Sequence, residues 1–200
     1  MKINQIAYYD HELEWRFEPI QFSNLTLLVG ISGVGKTQIL QSIMNLRKIA
    51  KGGSLNGIEW SIKFSINDIQ YYWEGKFEDK QVSSLIIEDD IESNKYRILH
   101  EKLLINNEVI IERNHKGILF KGKKLPKLSP FQSVVDILGE EEDIALVKNG
   151  FNKIIYSAHS TEEISDEIFP LIYASLAKKD FTLEDIQESN LPIQIKLALA

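Results

Sequence analysis

Eight consecutive residues carry the clearest chemistry in this chain: Gly30, Ile31, Ser32, Gly33, Val34, Gly35, Lys36 and Thr37. They fit G-x-x-x-x-G-K-[ST], the spacing of a phosphate-binding loop (Walker A). Each residue type has a reason. The three glycines let the backbone take positive φ and bring its N–H groups around an anion with no Cβ in the way. Lys36 places a cation on the β- and γ-phosphates of a nucleotide, and the Thr37 hydroxyl is of the kind that ligates Mg²⁺. Gln38 follows as the next residue of the same turn. A glycine-rich turn that binds nothing is the rival reading of the same letters.

The elements that must position this loop are also legible. Asn24–Val29 is a short apolar run that reads as a buried strand, and from Gln38 the apolar residues Ile39, Leu40, Ile43 and Leu46 recur at helical spacing. The loop is therefore expected at a strand-to-helix turn. There the first turn of the helix offers free N–H groups and the positive end of its dipole to the phosphates.

Upstream, Lys2–Tyr9 and Glu14–Phe22 read as two strands around the polar turn Asp10-His11-Glu12. Downstream comes the cleanest alternation in the chain. Ile58, Trp60, Ile62, Phe64 and Ile66 take one face, and Glu59, Ser61, Lys63 and Ser65 the other. Asn67-Asp68 and Asn106-Asn107 read as turns, and His115-Lys116-Gly117 as a third. Further short strands are expected around Leu85–Ile87, Tyr96–Ile105, Val109–Arg113 and Ile118–Lys121. Residues from about 57 to 125 thus form an antiparallel insert with one apolar and one wet face. Residues 132–200 read as helical, with Gly139 as a break within Ser133–Ile155. A capping box is expected at Ser160-Thr161-Glu162-Glu163, and further helices at Thr182–Ile186 and Leu191–Ala200.

Bulk composition narrows the classes. Two hundred residues suffice for one domain with a substantial core, and the 44% apolar, 26% charged balance is that of a globular protein. No apolar run is long enough for a membrane span, and Met1–Gln5 carries no signal-peptide core, so a cytoplasmic protein is expected. Cysteine is absent, and His11, His100, His115 and His159 lack ligand spacing. A net charge of −6 argues against a globally basic nucleic-acid binder. The run Lys116, Lys121, Lys123, Lys124, Lys127 is the best basic patch, readable as a nucleic-acid contact or equally well as a solvated hairpin face.

A second acidic site is harder to find. Leu85-Ile86-Ile87 followed by Glu88-Asp89 is the candidate Walker B element, but it falls inside the antiparallel insert. A strand ending in a solvated acidic turn reads it as well. No guanine-reading Asn-Lys-x-Asp element is evident: Asn152-Lys153 is followed by Ile154-Ile155, and Asn94-Lys95 by Tyr96-Arg97.

The order hairpin, Phe22-x-Asn24-Leu25-Thr26-Leu27-Leu28-Val29-Gly30 loop, helix, β-rich insert resembles the N-terminal half of an ABC-type ATPase head. It is most similar to the SMC and RecF group and to the AAA-type ATPases of the overcoming-lysogenization-defect and phage-defence groups. Glu101-x-Leu103 followed by Glu112-Arg113 is similar to the insert of those defence ATPases. The sharp part of the resemblance is the loop, where Ser32 and Thr37 stand in place of the family's usual Asn and Ser.

The resemblance implies an α/β P-loop NTPase fold: N-terminal β-hairpin, antiparallel β insert (57–125) and helical region (132–200), all one ATPase domain over 1–200. It implies ATP and Mg²⁺ as ligands, with Gly30 through Gln38 on the nucleotide and Lys36 as the catalytic cation. Thr37 and Gln132, the latter as the family's Q-loop glutamine, would bind the metal. ATP hydrolysis would then belong to a homodimer that sandwiches ATP between two heads. A nucleic acid or an effector protein would be a further partner, and the setting a DNA-related or antiviral process without a membrane. The family's signature motif and Walker B strand are not found here. The chain is therefore expected to be the N-terminal part of a longer ATPase, weak alone in binding and hydrolysis. A non-catalytic nucleotide-gated interaction module and a small phosphotransferase using Glu88-Asp89 are the rivals.

Overall fold

The computed structural model describes residues 1–31, 33–80 and 95–156. The chain divides into two units, one of Met1–Phe22 with Thr37–Ile154, the other holding Ser23–Lys36. The expected strand at Leu85–Ile87, the acidic pair Glu88-Asp89, His159, the capping box at Ser160 and the helices at Thr182–Ile186 and Leu191–Ala200 lie outside the described residues.

The first unit is built on one antiparallel sheet. Its strands are β1 (Lys2–Asp10), β2 (Trp15–Gln21), β3 (Ile58–Ile66), β4 (Ile69–Phe77), β5 (Ile98–Ile105), β6 (Glu108–Asn114), β7 (Gly117–Phe120) and β8 (Lys123–Lys124). They lie side by side in the order β2-β1-β3-β4-β5-β6-β7-β8. The N-terminal hairpin and the insert are thus one sheet, because β1 pairs with β3 and sets Ile6 opposite Ile62 and Tyr8 opposite Trp60. Sharing one apolar face buries both sets of side chains at once, which separate sheets would not do.

The hairpins follow from local chemistry. Asn67 and Asp68 (φ +48° and +65°) turn β3 into β4, and Asn106 and Asn107 (φ +49° and +69°) turn β5 into β6. Two successive positive φ values are what a two-residue loop needs to match strand twist, and Asn and Asp tolerate them best after Gly.

The alternation in β3 puts Ile58, Trp60, Ile62, Phe64 and Ile66 into the core, where β4 meets them with Tyr71, Trp73 and Phe77. Three helices are described: α1 (Lys36–Ala50), α2 (Val134–Ile137) and α3 (Glu142–Asn152). Leu46, Ile49 and Ala50 of α1 join this core. Phe151 of α3 sits edge-on to both Phe64 and Trp73, with centroids 5.5 and 5.1 Å away. Each such contact adds roughly 0.5–1.5 kcal/mol beyond the buried area. The long helix expected from Ser133 is broken over 138–141. Buried Gly139 sits in that break, packed against the Lys148 side chain.

On the wet face, Glu59 accepts hydrogen bonds from His11 Nε2 and Lys76 Nζ, both at 2.9 Å. Burial pushes its carboxyl up, but the bonds from Lys76 and His11 outweigh that and hold it below the usual range. A lowered folded pKa stabilises above the unfolded carboxylate range and loses that contribution as pH falls through the lowered value. The stability gap between wild type and Glu59→Gln is therefore expected at neutral pH and should shrink by about pH 3. With 43% of the side chain exposed, the gap should stay below about 1 kcal/mol. Thermal unfolding of the two proteins across that range checks it.

Candidate functional site

The loop belongs to the second unit, whose described part departs from expectation at its start. Asn24–Val29 is not a strand: it pairs with none of the described strands, and Leu27 and Val29 are 59% and 77% exposed. An apolar run forms a buried strand only where neighbouring strands and a covering layer exist for it. The segment is instead tied locally. Ser23 N donates to Thr26 Oγ1 at 3.0 Å, and Ser23 Oγ donates to the Leu25 carbonyl.

From Gly30 onward the backbone takes positive φ at three glycines. Gly30, Gly33 and Gly35 sit at φ +154°, +86° and +95°. Gly33 and Gly35 lie in the region that L side chains rarely adopt, so a Cβ at either would strain the loop. A Cβ on Gly30 would lie 3.0 Å from Val34 Cγ2, so the small residue is also needed for closeness. Ile31, Gly33 and Val34 are exposed, and Ser32 lies outside the described residues.

Lys36 opens α1 and folds back over the loop. Its Nζ donates to the carbonyls of Gly30 (2.7 Å) and Ile31 (2.8 Å). An ammonium has three donors, so two tie the end of the loop to its beginning and one is left for an anion. No acidic residue stands in the first turn of α1 to compete for the helix N-terminus. Thr37 and Gln38, the next two residues of α1, are both exposed.

Gln132 is not brought to this end of the helix. Its Nε2 lies 3.3 Å from where a Cβ on Gly52 would sit, and Gly52 follows the last residue of α1, Ala50. Thr37 stands in the first turn. At 1.5 Å of rise per residue the two ends are about 20 Å apart, too far for Gln132 and Thr37 to share one metal ion. The expected pairing of these residues is therefore set aside. The physical reason is that Gln132 belongs to a segment anchored on the sheet.

That anchor is a buried polar cluster. Glu101 on β5 accepts from Trp73 Nε1 (3.1 Å), from Ser133 Oγ and from the backbone N–H of Val134 (2.9 Å). Arg113 on β6 lies 3.8 Å from the same carboxylate. Its guanidinium donates to the carbonyls of Gln132 (2.8 Å) and Ser129 (3.0 Å). Burial pulls the Arg113 pKa down, and Glu101 works against that. The cluster caps α2 and pins 129–134 to the sheet. The sequence held a signal for it: Glu101 shares its face with Leu103, and Arg113 with Ile111, so both charges stand at inward-facing positions.

Among the described residues no group of three or more His, Asp or Glu could hold a metal ion, and no helix is long and apolar enough to cross a membrane. No family model, curated protein or solved structure matches the chain. The functional reading therefore stands on the loop itself.

Proposed function

We propose that Gly30–Thr37 binds the triphosphate of ATP with Mg²⁺, and that the chain is the nucleotide-binding part of an ABC-type ATPase head of the SMC–RecF kind. The observation that carries this is the loop's conformation: glycines at positive φ and Lys36 tethered to the two carbonyls at the loop's start. The residues present fit the group. Backbone N–H groups and the free end of α1 would hold the phosphate oxygens, and the remaining Lys36 donor would reach the terminal phosphates. The exposed Thr37 hydroxyl would ligate Mg²⁺, which spreads the charge of the transferring phosphoryl. Catalysis of this kind is positioning plus charge neutralisation. Hydrolysis would follow from two such heads closing on ATP in the cytoplasm, in service of a DNA-related or antiviral process.

Titration with a fluorescent ATP analogue tests the assignment of the metal ligand. Binding should be stronger with Mg²⁺ than with EDTA. Thr37→Ala should remove most of that difference, a loss of roughly tenfold for one ligand oxygen (about 1.4 kcal/mol). Gln132→Ala should keep it. A Thr37→Ala protein as Mg²⁺-sensitive as wild type would sink the assignment.

A further inference from the structure

From Asn114 to Val135 the sequence contains five lysines and no Asp or Glu, although the chain as a whole carries −6. The structure places this stretch at one edge of the sheet, on β7, β8 and the turns around them. Lys116 stands in the β6–β7 turn, and Lys123 and Lys124 make up β8, which pairs with β7 and with no other described strand. Lys127 follows in the segment that leads back to the sheet, where Pro130 O accepts from Ile98 N at 2.9 Å. All four lysines are exposed, and none has a carboxylate partner among the described residues.

The fifth lysine is spent. Lys121 pairs with Asp143 at the start of α3, with Glu141 and Glu142 close by. Register puts two of the others, Lys123 and Lys124, on opposite sides of the edge. Lys123 is opposite Phe120, which is opposite core Ile111, whereas Lys124 is opposite Leu119, which is opposite Glu112 on the wet face. A Cβ on Gly117 would lie 3.5 Å from Lys124 Cε, so this side chain reaches across to the turn that holds Lys116.

We propose that this edge binds the phosphodiester backbone of a nucleic-acid duplex, without reading its sequence. Cations on both sides of one narrow edge suit a polyanion that straddles it, and phosphates supply that charge at regular spacing. Backbone contact is favoured over base stacking because the aromatic residues of the stretch, Phe120 and Phe131, are both half-buried, whereas stacking platforms are open. The same lysines guard an otherwise pairable edge strand, and the two roles separate on measurement. The inference is independent of the nucleotide site.

The experiment is fluorescence anisotropy of the chain with a random-sequence DNA duplex and with its RNA counterpart across a salt series. Four phosphate contacts predict a log–log salt slope of roughly −3 to −4 for DNA. K124Q should reduce the slope by about one, and K116E/K124E/K127E should weaken binding at least about tenfold. K121Q should bind within about twofold of wild type, since Lys121 is already paired. Preference for either duplex identifies its source and supports the proposal. The proposal falls if neither duplex binds at low salt or if the triple variant, folded by circular dichroism, binds like wild type. Binding to anionic lipid vesicles in place of either duplex would also overturn it.

Discussion

Replacing Glu101 by Ala should cost about 3–5 kcal/mol of stability, the usual range when one partner of a buried ion pair is removed. The side chain is fully buried and holds four groups at once: the Trp73 indole N–H, the Ser133 hydroxyl, the Val134 amide and, at 3.8 Å, the Arg113 guanidinium. Truncation leaves a cation that is only 5% exposed without its counter-charge, and orphans two N–H donors. Against a typical total of 5–15 kcal/mol, that loss should lower the melting temperature by roughly 10 °C or more. The pair itself need not be a large net gain, because desolvation offsets much of its attraction. Glu101→Met with Arg113→Met should therefore cost less than Glu101→Ala alone. Thermal and urea unfolding of the three proteins decides it. A single variant as stable as wild type would mean that the cluster does not hold α2 and 129–134 to the sheet.

Lys36→Ala should weaken ATP binding by about 2 kcal/mol, or roughly thirtyfold, the scale of one charge-assisted hydrogen bond to phosphate. Two effects add. The variant loses the donor that would reach the phosphates, and it loses the bonds to Gly30 and Ile31 that close the loop on itself. Folding should be nearly unaffected, because Lys36 touches no core residue in these bonds. Lys36→Arg should not rescue binding, since a planar guanidinium does not replace a compact ammonium tied to two carbonyls. Isothermal titration of the three proteins with ATP and Mg²⁺ gives the comparison. Equal affinity in wild type and Lys36→Ala would place the nucleotide elsewhere or nowhere.

The strands were legible wherever one face is wet, because burial of the other face writes a period of two into the sequence. Ile58–Ile66 is the clearest instance, and the Asn-Asp and Asn-Asn turns mark where it reverses. Asn24–Val29 was not legible for the complementary reason. A continuous apolar run has no period, and whether it becomes a strand depends on neighbours that the run does not encode. Two-residue β8 is too short to show a pattern at all. Gln132 failed on distance: its place in the chain order fitted, but its position is fixed by Arg113 and by the packing beside Gly52, at the end of α1 remote from Thr37. The conformation of the glycine loop depends on local demands. Positive φ at Gly33 and Gly35 and an ammonium within reach of Gly30 and Ile31 depend on a few adjacent residues.

Whether this loop binds a chain of phosphates is decided by titrating the wild-type chain with ATP, ADP and AMP in the presence of Mg²⁺. One nucleotide per chain is expected, with affinity falling in that order and AMP at least about tenfold weaker than ATP because it lacks the phosphates Lys36 would contact. Equal affinity for all three, or no binding of ATP at all, would contradict it.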